Sequence, residues 1–130
     1  MILVDTSIWI DLLGSQKKFS LTSEKLLEVA TCPPVIQEVL QGIGNDLIHK
    51  RVKESFLALP CLEKSISTEL YLSAADIYRS GRGRGFTIRS STDCLIAAIA
   101  IQHKIAVWHH DRDYELISRF TSLKTVSRLE

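Results

Sequence analysis

Cysteine is scarce in this chain, and what there is does not pair. Cys32, Cys61 and Cys94 form no CxxC unit and leave an odd thiol under any pairing. That excludes a disulfide framework and a thiolate zinc pattern, and it fits a reduced, cytoplasmic setting. No repeat, low-complexity tract or linker interrupts the chain, which contains only three prolines and six glycines. A long apolar run is missing too. The longest, CLIAAIAI at 94–101, is far too short to span a bilayer. The first apolar stretch follows Met1 directly, so no secretory leader is expected. Neither charge dominates: 16 Lys and Arg face 15 Asp and Glu, a net charge of +1. Any attraction to a polyanion must therefore come from local patches. What remains is a chain of 130 residues, 45% hydrophobic and 24% charged. Such proportions suit one domain, spanning 1–130, around one core.

The apolar pattern alternates between short runs and helical stripes. Ile2–Val4 reads as a buried strand, followed by a helix that Thr6 or Ser7 could cap and Gly14 would stop. Ser23 signals a short helix, Val29–Cys32 a strand, and Pro33–Pro34 to Gly42 a helix with proline first and glycine last. Helical spacing returns over 45–59 and again over 67–78, with a brief extended piece at Cys61–Leu62. SGRGRG at 80–85 is expected to break the second of these helices. Residues 90–104 form a helix apolar on nearly every side, hence central and buried. A strand at 105–109, a helix at 113–120 and a strand at 123–127 complete the chain. Apolar strands alternating with helices predict an α/β fold, a mostly parallel sheet covered on both faces.

Sites in such sheets form beyond the carboxyl ends of the strands. Asp5 and Asp111 each follow a strand and stand at that edge. Asp93 lies in the first turn of the buried helix, and Glu38 lies beside the apolar stripe of the proline-started helix. Each acid alone has an ordinary explanation. Asp93 suits a helix N-terminus, Asp111 an N-cap, Asp5 an Asx-turn and Glu38 a solvated helix face. Together they can converge from four remote parts of the chain. Four carboxylates in one crevice repel unless protonated or bridged by a cation. Oxygen ligands without thiolates favour Mg²⁺ or Mn²⁺ over zinc. Such an ion keeps open positions for a phosphate, which suits metal-assisted phosphodiester hydrolysis.

The blocks ILVDTSIWIDLL, PPVIQEVLQG, GFTIRSSTDCLIAAIAIQH and HHDRDYELI, in this order, resemble the PIN-domain nucleases. The likeness is strongest to VapC-type toxins of bacterial type II toxin–antitoxin pairs. It covers essentially the whole chain and implies a three-layer α/β/α domain with endoribonuclease activity. On that resemblance Asp5, Glu38, Asp93 and Asp111 match an acidic quartet around Mg²⁺ or Mn²⁺. Asp113 matches a further acid that some members place near the metal, and Thr6 and Ser7 match hydroxyls that orient a ligand or water. The resemblance also implies a homodimer and a VapB-type antitoxin covering the groove. His109–His110 departs from the pattern, since the family often has Thr-Asn or a similar pair there. Neighbours in a strand face opposite ways, which puts one imidazole in the core and the other in solvent.

Around the acids, YRSGRGRGFTIR carries Arg79, Arg82, Arg84 and Arg89 just before Asp93. These either fork onto RNA phosphates or serve as helix-terminal cations ahead of a glycine-rich loop. HKRVKE at 49–54 reads as the wet face of a helix, Trp9 and Trp108 as core or interface, and Asp11 as structural. Two rival functions stand beside the nuclease. One is a PIN-fold module that binds RNA or protein without turnover. The other is an aspartate-based phosphotransfer domain, although the DxDx[TV] pattern fails at Ser7 and no P-loop is present.

Overall fold

The computed structural model describes residues 1–15 and 18–127. Among these, four strands and seven helices follow in the order β1 (Ile2–Val4), α1 (Thr6–Leu13), α2 (Ser23–Leu26), β2 (Val29–Ala30), α3 (Pro33–Gln41), α4 (Asp46–Ala58), α5 (Thr68–Gly83), α6 (Ser91–His103), β3 (Ala106–Trp108), α7 (Arg112–Ser118) and β4 (Thr125–Val126). The strands form one sheet in the order β2-β1-β3-β4, and every neighbouring pair is parallel. Successive strand residues point to opposite faces. Leu3 and Val4, Val29 and Ala30, and Val107 and Trp108 are nevertheless all buried. Both faces of the sheet are therefore covered, the α/β/α layering expected of apolar parallel strands.

Register places the site. Ile2 pairs with Ala106 and Val4 with Trp108, so β1 and β3 end side by side. Beyond that edge the Asp5 N–H donates to Trp108 O at 2.9 Å. The chain turns straight into helices from there, with Asp5 as N-cap of α1 and Asp111 as N-cap of α7. α6 fills the middle: seven of its residues are buried, from Asp93 to Ala100. It ends on Lys104, which adopts the left-handed conformation at φ 54°.

The helix starts differ from expectation in detail. Asp5, not Thr6 or Ser7, caps α1 by accepting from Ser7 N, and Thr22 rather than Ser23 caps α2. The extended piece at Cys61 is a single bridge to Thr31. One expectation is overturned. SGRGRG does not break the helix after Tyr78, because α5 runs on to Gly83 with Arg79 and Arg82 inside it. The reason lies in packing. Gly81 is buried, and a Cβ there would stand 3.2 Å from Phe120 Cζ and 3.4 Å from Ile88 Cγ1. The glycine lets α5 approach the end of α7 closely, and that contact offsets the roughly 1 kcal/mol helix cost of glycine.

Candidate metal centre and active site

Asp93, Asp111 and Asp113 each offer a carboxylate oxygen within 4.8 Å of the others. Asp93 and Asp113 are buried, and Asp111 is the most open of the three. α6 supplies the first from its opening turn, and the β3–α7 junction supplies the other two. Asp111 Oδ1 accepts from Asp113 N at 2.8 Å, which starts α7. Asp113 in turn accepts from Arg89 N and Ser90 N at 3.0 to 3.1 Å. It thereby pins the segment leading into α6 against the start of α7.

Asp5 joins this trio through a residue that the sequence reading passed over. The Tyr114 hydroxyl donates to Asp5 Oδ1 at 2.6 Å and lies 3.2 Å from Asp93 Oδ1. A tyrosine facing inward on α7 needs a partner for its hydroxyl, and that requirement was the available signal. Asp5 Oδ2 accepts from both Ser7 N and Ser7 Oγ, at 3.1 and 2.7 Å. Ser7 Oγ also accepts from His110 N, so it ties the first strand end to the third. Glu38 is brought to the same edge by Thr6, whose hydroxyl donates to Glu38 Oε1 at 2.8 Å. Both hydroxyls singled out in the sequence thus hold acids.

The electrostatics follow from burial. Asp93 is 6% exposed, and its carboxyl is pushed up from 3.8 to about 9. Burial is the main cause, followed by the charge of Asp5, a hydrogen bond with Asp113 and the charges of Asp111 and Asp113. Burial, then the charges of Asp5 and Asp93 and the hydrogen bonds to both, push the Tyr114 hydroxyl well above its ordinary value. Burial and the neighbouring carboxylates thus both disfavour a charge on Asp93. A divalent cation would offset that crowding of negative charge, and an all-oxygen donor set suits Mg²⁺ or Mn²⁺. The residues present fit such an ion.

His109 and His110, just beyond the end of β3, divide as expected between core and solvent. His109 is buried, its ring 5.2 Å from that of Tyr114, while His110 is exposed beside Phe19. His109 Nδ1 accepts from Asp111 N, so that nitrogen carries no proton. Its Nε2 lies 3.2 Å from Glu115 Oε1 in a geometry too poor for a hydrogen bond. The arginines are less concentrated on the acids. Arg82 donates to Tyr78 Oη and Arg84 lies over the Phe120 ring. Arg89, exposed, adjoins the centre through its backbone contact with Asp113.

Comparison with known proteins meets this geometry. The PIN domain model matches residues 2–119. This chain belongs to the PIN-domain family. It is 36% identical to ribonuclease VapC11 of Mycobacterium tuberculosis and to a VapC ribonuclease of Mycobacterium bovis, with 98% of each chain covered. Among solved structures it is similar to VapBC2 of Rickettsia felis bound to a promoter DNA fragment, with a TM-score of 0.71, 17% identity, and 97% and 98% of the two chains covered. It is also similar to FitAcB of Neisseria gonorrhoeae, with a TM-score of 0.70, 20% identity and 96% of both chains covered. At those identities the structural likeness establishes the PIN fold. In this PIN chain Asp5 and Asp111 follow the carboxyl ends of the neighbouring strands β1 and β3.

Trp9 and Trp108 lie in the core and the charged residues of HKRVKE face solvent. Asp11 is structural, accepting from Lys18 N and Phe19 N. Cys32 and Cys94 are buried, their thiols pushed up by burial to about 12 and about 11.

Proposed function

We propose that the protein is a Mg²⁺- or Mn²⁺-dependent endoribonuclease, the toxin of a type II pair, acting in the cytoplasm as one PIN domain spanning 1–130. The single observation that carries this is the gathering of Asp93, Asp111 and Asp113 carboxylate oxygens within 4.8 Å, with Asp5 tied to Asp93 through the Tyr114 hydroxyl. The relatives named as VapC ribonucleases support RNA as the substrate. The VapBC and FitAcB complexes support a VapB-type antitoxin as partner, and we infer a homodimer from the family resemblance. One core gathering residues from Leu3 to Leu123 supports reading the chain as a single domain.

In this reading Asp5, Asp93 and Asp111 hold the cation. Glu38, steadied by Thr6, completes the acidic site directly or through water. Asp113 spends three hydrogen bonds on residues 89 and 90 and serves chiefly to fix the other acids. Mg²⁺ or Mn²⁺ bound there supplies a lowered pKa for an attacking water and offsets charge on the phosphate. Arg89 is the best placed of the arginines to meet RNA phosphate. The phosphotransfer alternative needs Asp5 reachable by a phosphodonor, whereas Asp5 is 2% exposed.

Purified protein and Asp93→Asn, assayed on total RNA with Mn²⁺ and with EDTA, test the reading. Cleavage by the wild type in Mn²⁺ alone, and loss of at least two orders of magnitude in the variant, are expected. Equal cleavage by the folded variant at saturating metal overturns the proposed role of Asp93. A wild type that binds RNA without cutting it identifies the non-catalytic module.

A further inference from the structure

We propose that Tyr114 is the positioning residue of the acidic centre, its hydroxyl fixing Asp5 and Asp93 so that both can grip one cation. This rests on the metal-centre reading above. Three elements meet at that oxygen: Asp5 from the end of β1, Asp93 from the first turn of α6, and Tyr114 from α7. The ring has no freedom to move away, since Tyr114 is fully buried with the His109 ring 5.2 Å distant. A phenol has one proton to donate. The 2.6 Å contact assigns it to Asp5 Oδ1, and the 3.2 Å contact leaves Asp93 Oδ1 in range of the same oxygen.

Counting lone pairs gives the hydroxyl its consequence. A carboxylate offers about four acceptor sites. On Asp5, Ser7 N and Ser7 Oγ take both sites of Oδ2, and Tyr114 takes one site of Oδ1. One lone pair remains, on Oδ1, and the hydroxyl that takes the other also reaches Asp93 Oδ1. The tyrosine therefore determines which way the last free site of Asp5 points. Without the hydroxyl the Asp5 carboxylate keeps its Ser7 bonds, but Oδ1 loses its partner and nothing ties it to Asp93. Partners that orient ligands in this manner typically account for 10–100-fold in metal affinity.

The experiment titrates Mn²⁺ alone into the full chain by calorimetry and by electron paramagnetic resonance. It compares wild type, Tyr114→Phe, and Ile117→Val as a packing control on the same buried face of α7. The phenylalanine keeps the ring and removes only the hydroxyl. Mn²⁺ Kd should rise about 10-fold or more in Tyr114→Phe and stay within about twofold in Ile117→Val. An unchanged Kd in Tyr114→Phe overturns the proposal while leaving the metal centre standing. Equal weakening by Ile117→Val, or a Tyr114→Phe chain that does not fold in EDTA, makes Tyr114 a structural prop and overturns it as well. A wild type that binds no Mn²⁺ sinks the metal-centre reading, and this inference with it.

Discussion

Raising the pH should destabilise the metal-free protein, and a divalent cation should cancel the effect. In the unfolded chain Asp93 titrates near its ordinary value of 3.8, whereas in the fold its carboxyl is pushed to about 9. Between those values the native state holds a proton that the unfolded chain has released. Its contribution to stability is therefore full below about pH 4, declines as pH rises, and is exhausted above about pH 9. One proton's difference is worth about 1.4 kcal/mol per pH unit. From about pH 5 to about pH 8 the loss reaches about 4 kcal/mol, an upper bound because local relaxation can soften it. A domain of this size moves a few degrees per kcal/mol, so Tm in EDTA should fall by on the order of 10 °C. Calorimetric melts at several pH values, in EDTA and in Mn²⁺, would measure it. Mn²⁺ binds the native state alone and competes with the Asp93 proton, so its stabilisation grows with pH and flattens the fall. Asp93→Asn has no proton to lose and should flatten the EDTA profile by itself. A wild-type Tm in EDTA that stays level or rises over this range would refute the reasoning.

Replacing Arg82 and Arg84 together by Ala should weaken RNA binding and shallow its salt dependence if they meet phosphates. An unchanged slope in a filter-binding series would confine them to Tyr78 and Phe120. Arg89→Ala should reduce the same slope by about one phosphate contact. Gly81→Ala should cost about 1 kcal/mol in urea melts: overpacking against Phe120 outweighs the gain in helix propensity, and cleavage by the folded variant should persist.

Most of the fold was legible because its signals are local. Apolar triplets marked the strands, proline and glycine framed α3, and the all-round apolar character of 90–104 announced a central helix. The α5 terminus was not legible, since local propensity favours a stop at SGRGRG. The contact that overrides it, Gly81 against Phe120, joins residues far apart in sequence. The acids were legible as strand-end and helix-start residues, but their supports were not. Tyr114 looks like any core residue of an amphipathic helix until the packing of α7 aims its hydroxyl at Asp5 and Asp93. Asp113 likewise shows its work on residues 89 and 90 only in three dimensions.

On the proposed reading Asp5 combines two roles that the sequence posed as alternatives, one on each oxygen. Oδ2 caps α1 through Ser7 N, while Oδ1 accepts from the Tyr114 hydroxyl that also reaches Asp93. Asp5→Ala should therefore change stability by two opposed amounts. Loss of the cap costs about 1 kcal/mol, and it does so at every pH at which Asp5 is ionised. Removal of a charge that helps push Asp93 up returns stability, and it does so increasingly as pH rises. In EDTA the variant should thus fall below the wild type at about pH 5 and draw level with it or pass it at about pH 8. The Mn²⁺-induced rise in Tm should shrink and cleavage should disappear. A purely capping Asp5 predicts a variant lower by a constant amount, with the metal response intact. Melts of both proteins at the two pH values, with and without Mn²⁺, separate these outcomes, because only a shared carboxylate cluster makes the two curves converge.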